Sequence, residues 1–379
     1  MQELKRIINY KRIILLLIAV TVNVVFFLYD NKPVMDEDII NKENVAHETY
    51  IKNYHEEVNA IIDNADKLKK YSIFNKAGSF SYANILQTAR DFERVKNVIL
   101  PEDEYKGVQA YTTYYYQYFF TMLVMMFVIY DMFAQRDNGM WSITYSCANG
   151  RIMYAIKQTG VIVVTGAFTH TLIYWSTFIA AMLQRGGVRD LVNPVQTIET
   201  FDKFTYPWSK IKYVTVLYLI SMVCIVALCI TIWGVFVMFR NRVYALVTML
   251  IFAAVEQFIY SHIDIHSVWN GLHYINIINI ININATFSSY RNWGVGTYVF
   301  PVFSVVLFVH IICAGVIGYI AINVSASMKP YKNTTFIKRF TDCVSAGCQK
   351  ILARIPFLFK EIHKFIFTSH CGWVVVVML

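Results

Sequence analysis

Charge is what this sequence has least of. Only 16% of its residues are Asp, Glu, Lys or Arg, whereas soluble domains carry about a quarter. With 56% apolar residues, a mean hydropathy of +0.44 and several long apolar runs, the composition excludes an ordinary soluble domain. It indicates a polytopic membrane protein. A disulfide framework is missing too. The cysteines are Cys147, Cys224, Cys229, Cys313, Cys343, Cys348 and Cys371, and none falls in the long polar segment after the first apolar run. Cys343 and Cys348 are too widely spaced for a CxxC pair, and no histidine cluster lies beside them.

The motifs of nucleotide and hydrolytic chemistry are also absent. There is no GxxxxGK[ST], so no P-loop binds nucleotide, and there is no GxSxG or HExxH. The expectation is a chain that is not an enzyme, with no catalytic set, no cofactor and no metal of its own. The net charge of +9 is placed beside the apolar runs, where Lys and Arg meet anionic headgroups. The expected partner is therefore a lipid bilayer, not nucleic acid.

What is present reads as an all-α, six-span helical bundle. Residues 1–12 place Leu4, Ile7 and Ile8 on one helical face among Lys5, Arg6, Lys11 and Arg12, as an interfacial helix on the inner leaflet does. Residues 13–29 form a first span. Residues 30–113 are polar and carry two amphipathic patterns, one around Tyr54 and Val58 and one around Ile85 and Phe92. A turn separates them and Pro101 ends the second, which predicts an extracellular helical hairpin. Tyr111, Tyr114, Tyr115, Tyr116 and Tyr118 read as an aromatic belt at the mouth of the second span. Residues 114–324 hold spans two to six, with outer loops at 183–212 and 261–297. The sixth span is expected from about Tyr298 to Val324.

The start, the break after Asp131, the Arg240–Arg242 turn and the tail are basic, so all four are expected in the cytoplasm, with the chain in the cell membrane. Residues 325–372 read as a cytoplasmic basic tail and interfacial helix. There Glu361 to Ile366 echoes Glu3 to Ile8. Residues 373–379 look like the start of a truncated span, hence of a partial second unit.

Ionisable residues inside spans are functional suspects because lipid penalises them. His170, Glu256 and His310 are the three, each able instead to bond a neighbouring helix. His262 and His266 share a helical spacing but lack further ligands for zinc. Asn284-Ala285-Thr286 fits a glycosylation sequon.

The break between spans two and three is the most specific feature. Asp131 ends one run, Phe133 and Arg136 follow, Gly139 comes eight positions after Asp131, and Arg151 opens the next run. Asp137 and Asn138 can cap a short helix within 137–149, which carries Trp141, Ile143 and Tyr145 as an apolar surface. This pattern resembles the type-2 ABC exporter permeases, with Asp131 where that family usually has Glu and Met140 in place of its threonine. The resemblance implies a coupling helix that lies in a groove of a separate ATPase subunit, which would hold ATP and Mg. Asp131, Arg136, Gly139, Trp141, Ile143, Tyr145 and Arg151 would serve that coupling, with Asp131 and Arg151 paired. It also implies a second permease unit, as another copy, a sister subunit or a missing half, and export of a substrate such as a peptide or antimicrobial. A non-transporting membrane sensor or scaffold is the alternative.

Overall fold

The computed structural model describes residues 10–33, 36–71, 74, 76, 78–101, 106–134, 150–239, 241–263, 267 and 269–327. The coupling helix 137–149, the first nine residues and everything from 328 onward, including the partial second unit, lie outside the described residues.

Five helices are long and apolar enough to cross a membrane. They are α1 (Tyr10–Asp30), α6 (Gly150–Arg185), α7 (Lys210–Met238), α8 (Arg242–His262) and α12 (Val302–Ser327). A sixth apolar helix, α5 (Tyr116–Met132), is shorter at 17 residues. This makes a mostly helical chain of membrane-protein character.

The bundle is arranged around α7. Of its apolar window 61% is buried, against 6% for α8 and 17% for α1. It packs against α5, α6, α8 and α12, and Trp233, Phe236 and Leu228 fill its inner face. Its contact with α12 is close because both helices offer glycine. A Cβ on Gly234 would collide with Ile317, and one on Gly318 would stand 3.0 Å from Ile230. Small residues at helix crossings supply packing where lipid gives no hydrophobic drive between helices. The α1 helix is held by polar contacts instead. Buried Asn23 donates to Thr177 of α6 at 2.7 Å and accepts from the Tyr114 hydroxyl at 3.0 Å. At its C-terminus, Gln184 of α6 donates to the Leu28 carbonyl, a group the helix end leaves unpaired, and Arg185 donates to the carbonyls of Asn31 and Lys32 just beyond it.

Between α1 and α5 lie α2 (Glu37–Leu68), α3 (Phe80–Glu93) and the short α4 (Gly107–Thr113). Asp36 caps α2 and Ser79 caps α3, each accepting a backbone N–H. Gly78, at φ +87°, makes the turn into α3. The two helices pack through Tyr54, Val58 and Phe92, joined by Val95 and Leu100 from the segment after α3. Helix α3 ends at Glu93, well before Pro101, which therefore is not its terminator.

The segment after α6 is a string of 3-10 turns over 189–201. The segment after α8 folds into α9 (Asn270–Ile275), α10 (Ile278–Ile281) and α11 (Ile283–Ser288). A hairpin of β1 (Asn292–Val295) and β2 (Tyr298–Pro301) then leads into α12. The expected start of the last span at Tyr298 is thus corrected. Gly296, at φ +64°, turns the chain, Val295 pairs with Tyr298, and the helix begins only at Val302. The aromatic belt is corrected as well. Tyr111, Tyr114 and Tyr118 are buried inside the protein, and of the described five only Tyr115 is exposed.

Candidate functional site

The connecting segments gather at one end of the bundle, here termed the head. Tyr50 of α2 donates to the Gln196 carbonyl at 2.8 Å, Asn292 donates to Asn84 of α3 at 2.8 Å, and Asn284 donates to the Thr112 carbonyl at 2.8 Å. Tyr290 donates to Asp91 at 3.0 Å. Burial pushes its phenol up to about 12, so it remains a donor through neutral pH. The Phe80 ring lies over Gly294, where a Cβ would strike it. Asn284 also accepts from Tyr213 at 2.6 Å, so both ends of the sequon amide are engaged within the fold. A buried ion pair anchors the middle of the head. Lys210, 0% exposed, donates to Asp190, which also accepts from Asn193 at 2.6 Å.

The opposite end, the foot, holds the described coupling residues. Asp131 accepts from Arg12 of α1, with Nε at 3.0 Å. The expected partner of Asp131 is Arg151; the partner found is Arg12, 119 positions away, expected only as a basic residue of the interfacial helix. Arg242, opening α8, lies over the Tyr130 ring at 4.5 Å, and Phe133 faces Phe236 of α7 at 5.7 Å. The last turn of α5 therefore touches α1, α7 and α8 just before the 137–149 segment. Arg151 opens the long α6. Arg136, Gly139, Trp141, Ile143 and Tyr145 lie outside the described residues.

Between head and foot runs a polar and aromatic seam where α5, α6 and α7 meet. His170 is buried, and its Nε2 is 2.8 Å from the Ser221 hydroxyl of α7. The Ser221 hydroxyl also lies 3.0 Å from the Tyr218 carbonyl; when it gives its proton there, it accepts from a protonated His170 Nε2. The imidazole is stacked between Tyr118 and Tyr218, each 5.9 Å away, with Tyr174 edge-on at 5.4 Å. Thr171 bonds the Tyr218 hydroxyl at 2.8 Å, and Tyr174 donates to the Val214 carbonyl at 2.7 Å. The Tyr111 and Tyr118 hydroxyls come near Tyr174 and Ser221 without reaching hydrogen-bond geometry.

The other two polar suspects lie outside this seam. Glu256 accepts from the Ile277 N–H at 3.1 Å, and its own carbonyl accepts from Asn276 at 2.7 Å, which fixes the chain ahead of α10. His310 bonds the Val306 carbonyl of its own helix at 2.8 Å. His262 stacks on Phe258 at 4.1 Å, and His266 lies outside the described residues. Among the described residues no cluster of three or more His, Cys, Asp or Glu could hold a metal ion. Asn23, Asp190 and Lys210 carry no role in the sequence reading, and Arg12 enters it only as a basic residue of the interfacial helix. Asn23 had the clearest signal, a lone amide within an apolar run. No family model matches the sequence, no curated protein is similar to it, and no solved structure resembles it.

Proposed function

We propose that this chain is the membrane permease subunit of an ABC exporter, a six-span unit in the cell membrane with α5 as its second span. Its foot and first residues lie in the cytoplasm, and its head, with the α2–α3 insert, lies outside. A separate ATPase docks on the 137–149 segment through Trp141, Ile143 and Tyr145. A second permease unit completes the transporter. The observation that carries this reading is the end of α5. Asp131 is tied to Arg12 on α1, and Tyr130 to Arg242 on α8, immediately before the proposed coupling helix. A push on that helix would move three spans together. The His170 seam, filled by side chains here, is the path such a tilt would open, with hydroxyls and rings suited to a peptide.

The test is purification of the full chain in mild detergent, followed by assay of the eluate for ATP hydrolysis. An ATPase subunit should co-elute at fixed stoichiometry and be lost on Trp141→Ala or Gly139→Pro. Full recovery of ATPase in both variants would remove the coupling assignment. The alternative, a non-transporting sensor or scaffold, draws on the insert being hydrogen-bonded to two other head segments. That reading would show co-elution of a signalling partner and no ATPase.

A further inference from the structure

At the head, α8 finishes and α12 begins, and between them α9–α11 leave a cavity of about 180 Å³. Tyr260, His273, Asn282, Thr286, Ser289 and Arg291 are in its wall. His273 is 8% exposed and its ring is stacked on Tyr260 at 4.6 Å, nearly parallel. Its Nδ1 is buried without a hydrogen-bond partner among the described residues. A buried nitrogen left unpaired is costly, and one in a cavity wall is satisfied when a ligand atom fills the space. Thr286 and Ser289 spend their hydroxyl protons on the carbonyls of Asn279 and Thr286, both at 3.1 Å. The donors remaining at the wall are the Arg291 guanidinium, the Tyr260 and Tyr274 hydroxyls, the Asn282 amide and, when Nδ1 carries the proton, the His273 ring. Among the described lining residues Arg291 is the only charged one and none is a carboxylate.

That donor set favours an oxyanion, and a guanidinium beside hydroxyl and amide donors suits phosphate geometry. The size fits a small group, since roughly six waters at ~30 Å³ each would fill the space. The position, where two candidate spans end and begin, is the depth of a phospholipid headgroup. We propose that this cavity binds a phosphate group of headgroup size, carried by an anionic phospholipid or by a free phosphate ester. The site is independent of the transport reading.

The test uses the full chain with two probes. One is phosphatidylglycerol in nanodiscs, compared with nanodiscs of phosphatidylcholine alone. The other is glycerol 3-phosphate added to the detergent-purified protein. Thermal stability and native mass spectrometry read binding. Wild type should be stabilised by at least one probe. Arg291→Gln, at an exposed position, and His273→Phe, which keeps the ring stack, should each weaken that probe's binding by about tenfold or more. If His273→Phe does not fold, Arg291→Gln alone decides. A response to phosphatidylglycerol only assigns a lipid, and one to glycerol 3-phosphate assigns a soluble ester; both support the site. No stabilisation by either probe, or affinities unchanged in Arg291→Gln, overturns it.

Discussion

The Lys210–Asp190 pair shows what a single buried charge commits this fold to. Both side chains are essentially out of solvent, and Asn193 takes up one further carboxylate lone pair. Removing one partner strands the other, which costs about 3–5 kcal/mol, whereas replacing both with apolar residues of similar size is often neutral. Lys210→Met should therefore lower the unfolding midpoint in detergent sharply, and Lys210→Met with Asp190→Leu should recover most of the loss. Equal losses in single and double variants would refute a charge-burial origin. His47 of α2 sits beside this pair. Burial holds its pKa below the usual 6.5; Lys210 and Lys106 press the same way, and Glu199 and Asp190 oppose. A histidine depressed in the fold contributes stability that is present above its ordinary pKa and lost as pH falls through and below it. Acidification below about pH 6.5 should loosen α2 from the head, seen as faster hydrogen exchange over α2, and His47→Gln should flatten that dependence.

At the scale of elements, the crossing of α7 and α12 depends on the space Gly234 leaves for Ile317. Ile317 is β-branched and cannot swing aside cheaply. Gly234→Val should destabilise the protein by about 1–3 kcal/mol through overpacking. Ile317→Ala in the same chain should restore part of it, measured by thermal unfolding; no rescue would mean that the two helices do not meet there. The long apolar helices were legible because apolar length alone marks them, as in the run from Lys210 to Met238. The start of α12 was not, because Tyr298-Val299-Phe300 is as apolar as the helix that follows. Only the turn at Gly296 and the pairing of Asn292 with Pro301 reveal a strand. The tyrosines 111–118 misled for a related reason. Composition marks amphipathic rings, but which face they occupy is set by α6 and α7, far away in sequence. His170, Glu256 and His310 were visible as polar residues in apolar runs; Val306, one turn back on the helix of His310, follows from helical spacing, while Ser221 and Ile277 emerge only when helices and turns are placed side by side.

For the whole molecule, head and foot are fastened by different means, and that difference makes the transport reading testable. The head is bound by short, partly buried contacts among three segments, so loss of one should show as lost stability. The foot contact is exposed on one side, with Asp131 at 60% and Arg12 at 16%. Pairs so open to water contribute only about 0–1 kcal/mol. Arg12→Ala and Asp131→Ala should accordingly leave thermal stability almost unchanged. If the pair instead links the push of an ATPase to α1, both variants should lower transport-coupled ATP hydrolysis roughly fivefold or more, the low end of ordinary coupling energies. Exchanging the charges, Arg12→Asp with Asp131→Arg, should return much of the coupling because the attraction survives the swap. A fall in stability matching the fall in coupling would make the contact a structural brace. Unchanged coupling in both single variants would separate α1 from the ATPase stroke and leave Arg242 on Tyr130 as the remaining described link from the end of α5 to a neighbouring span's charged end.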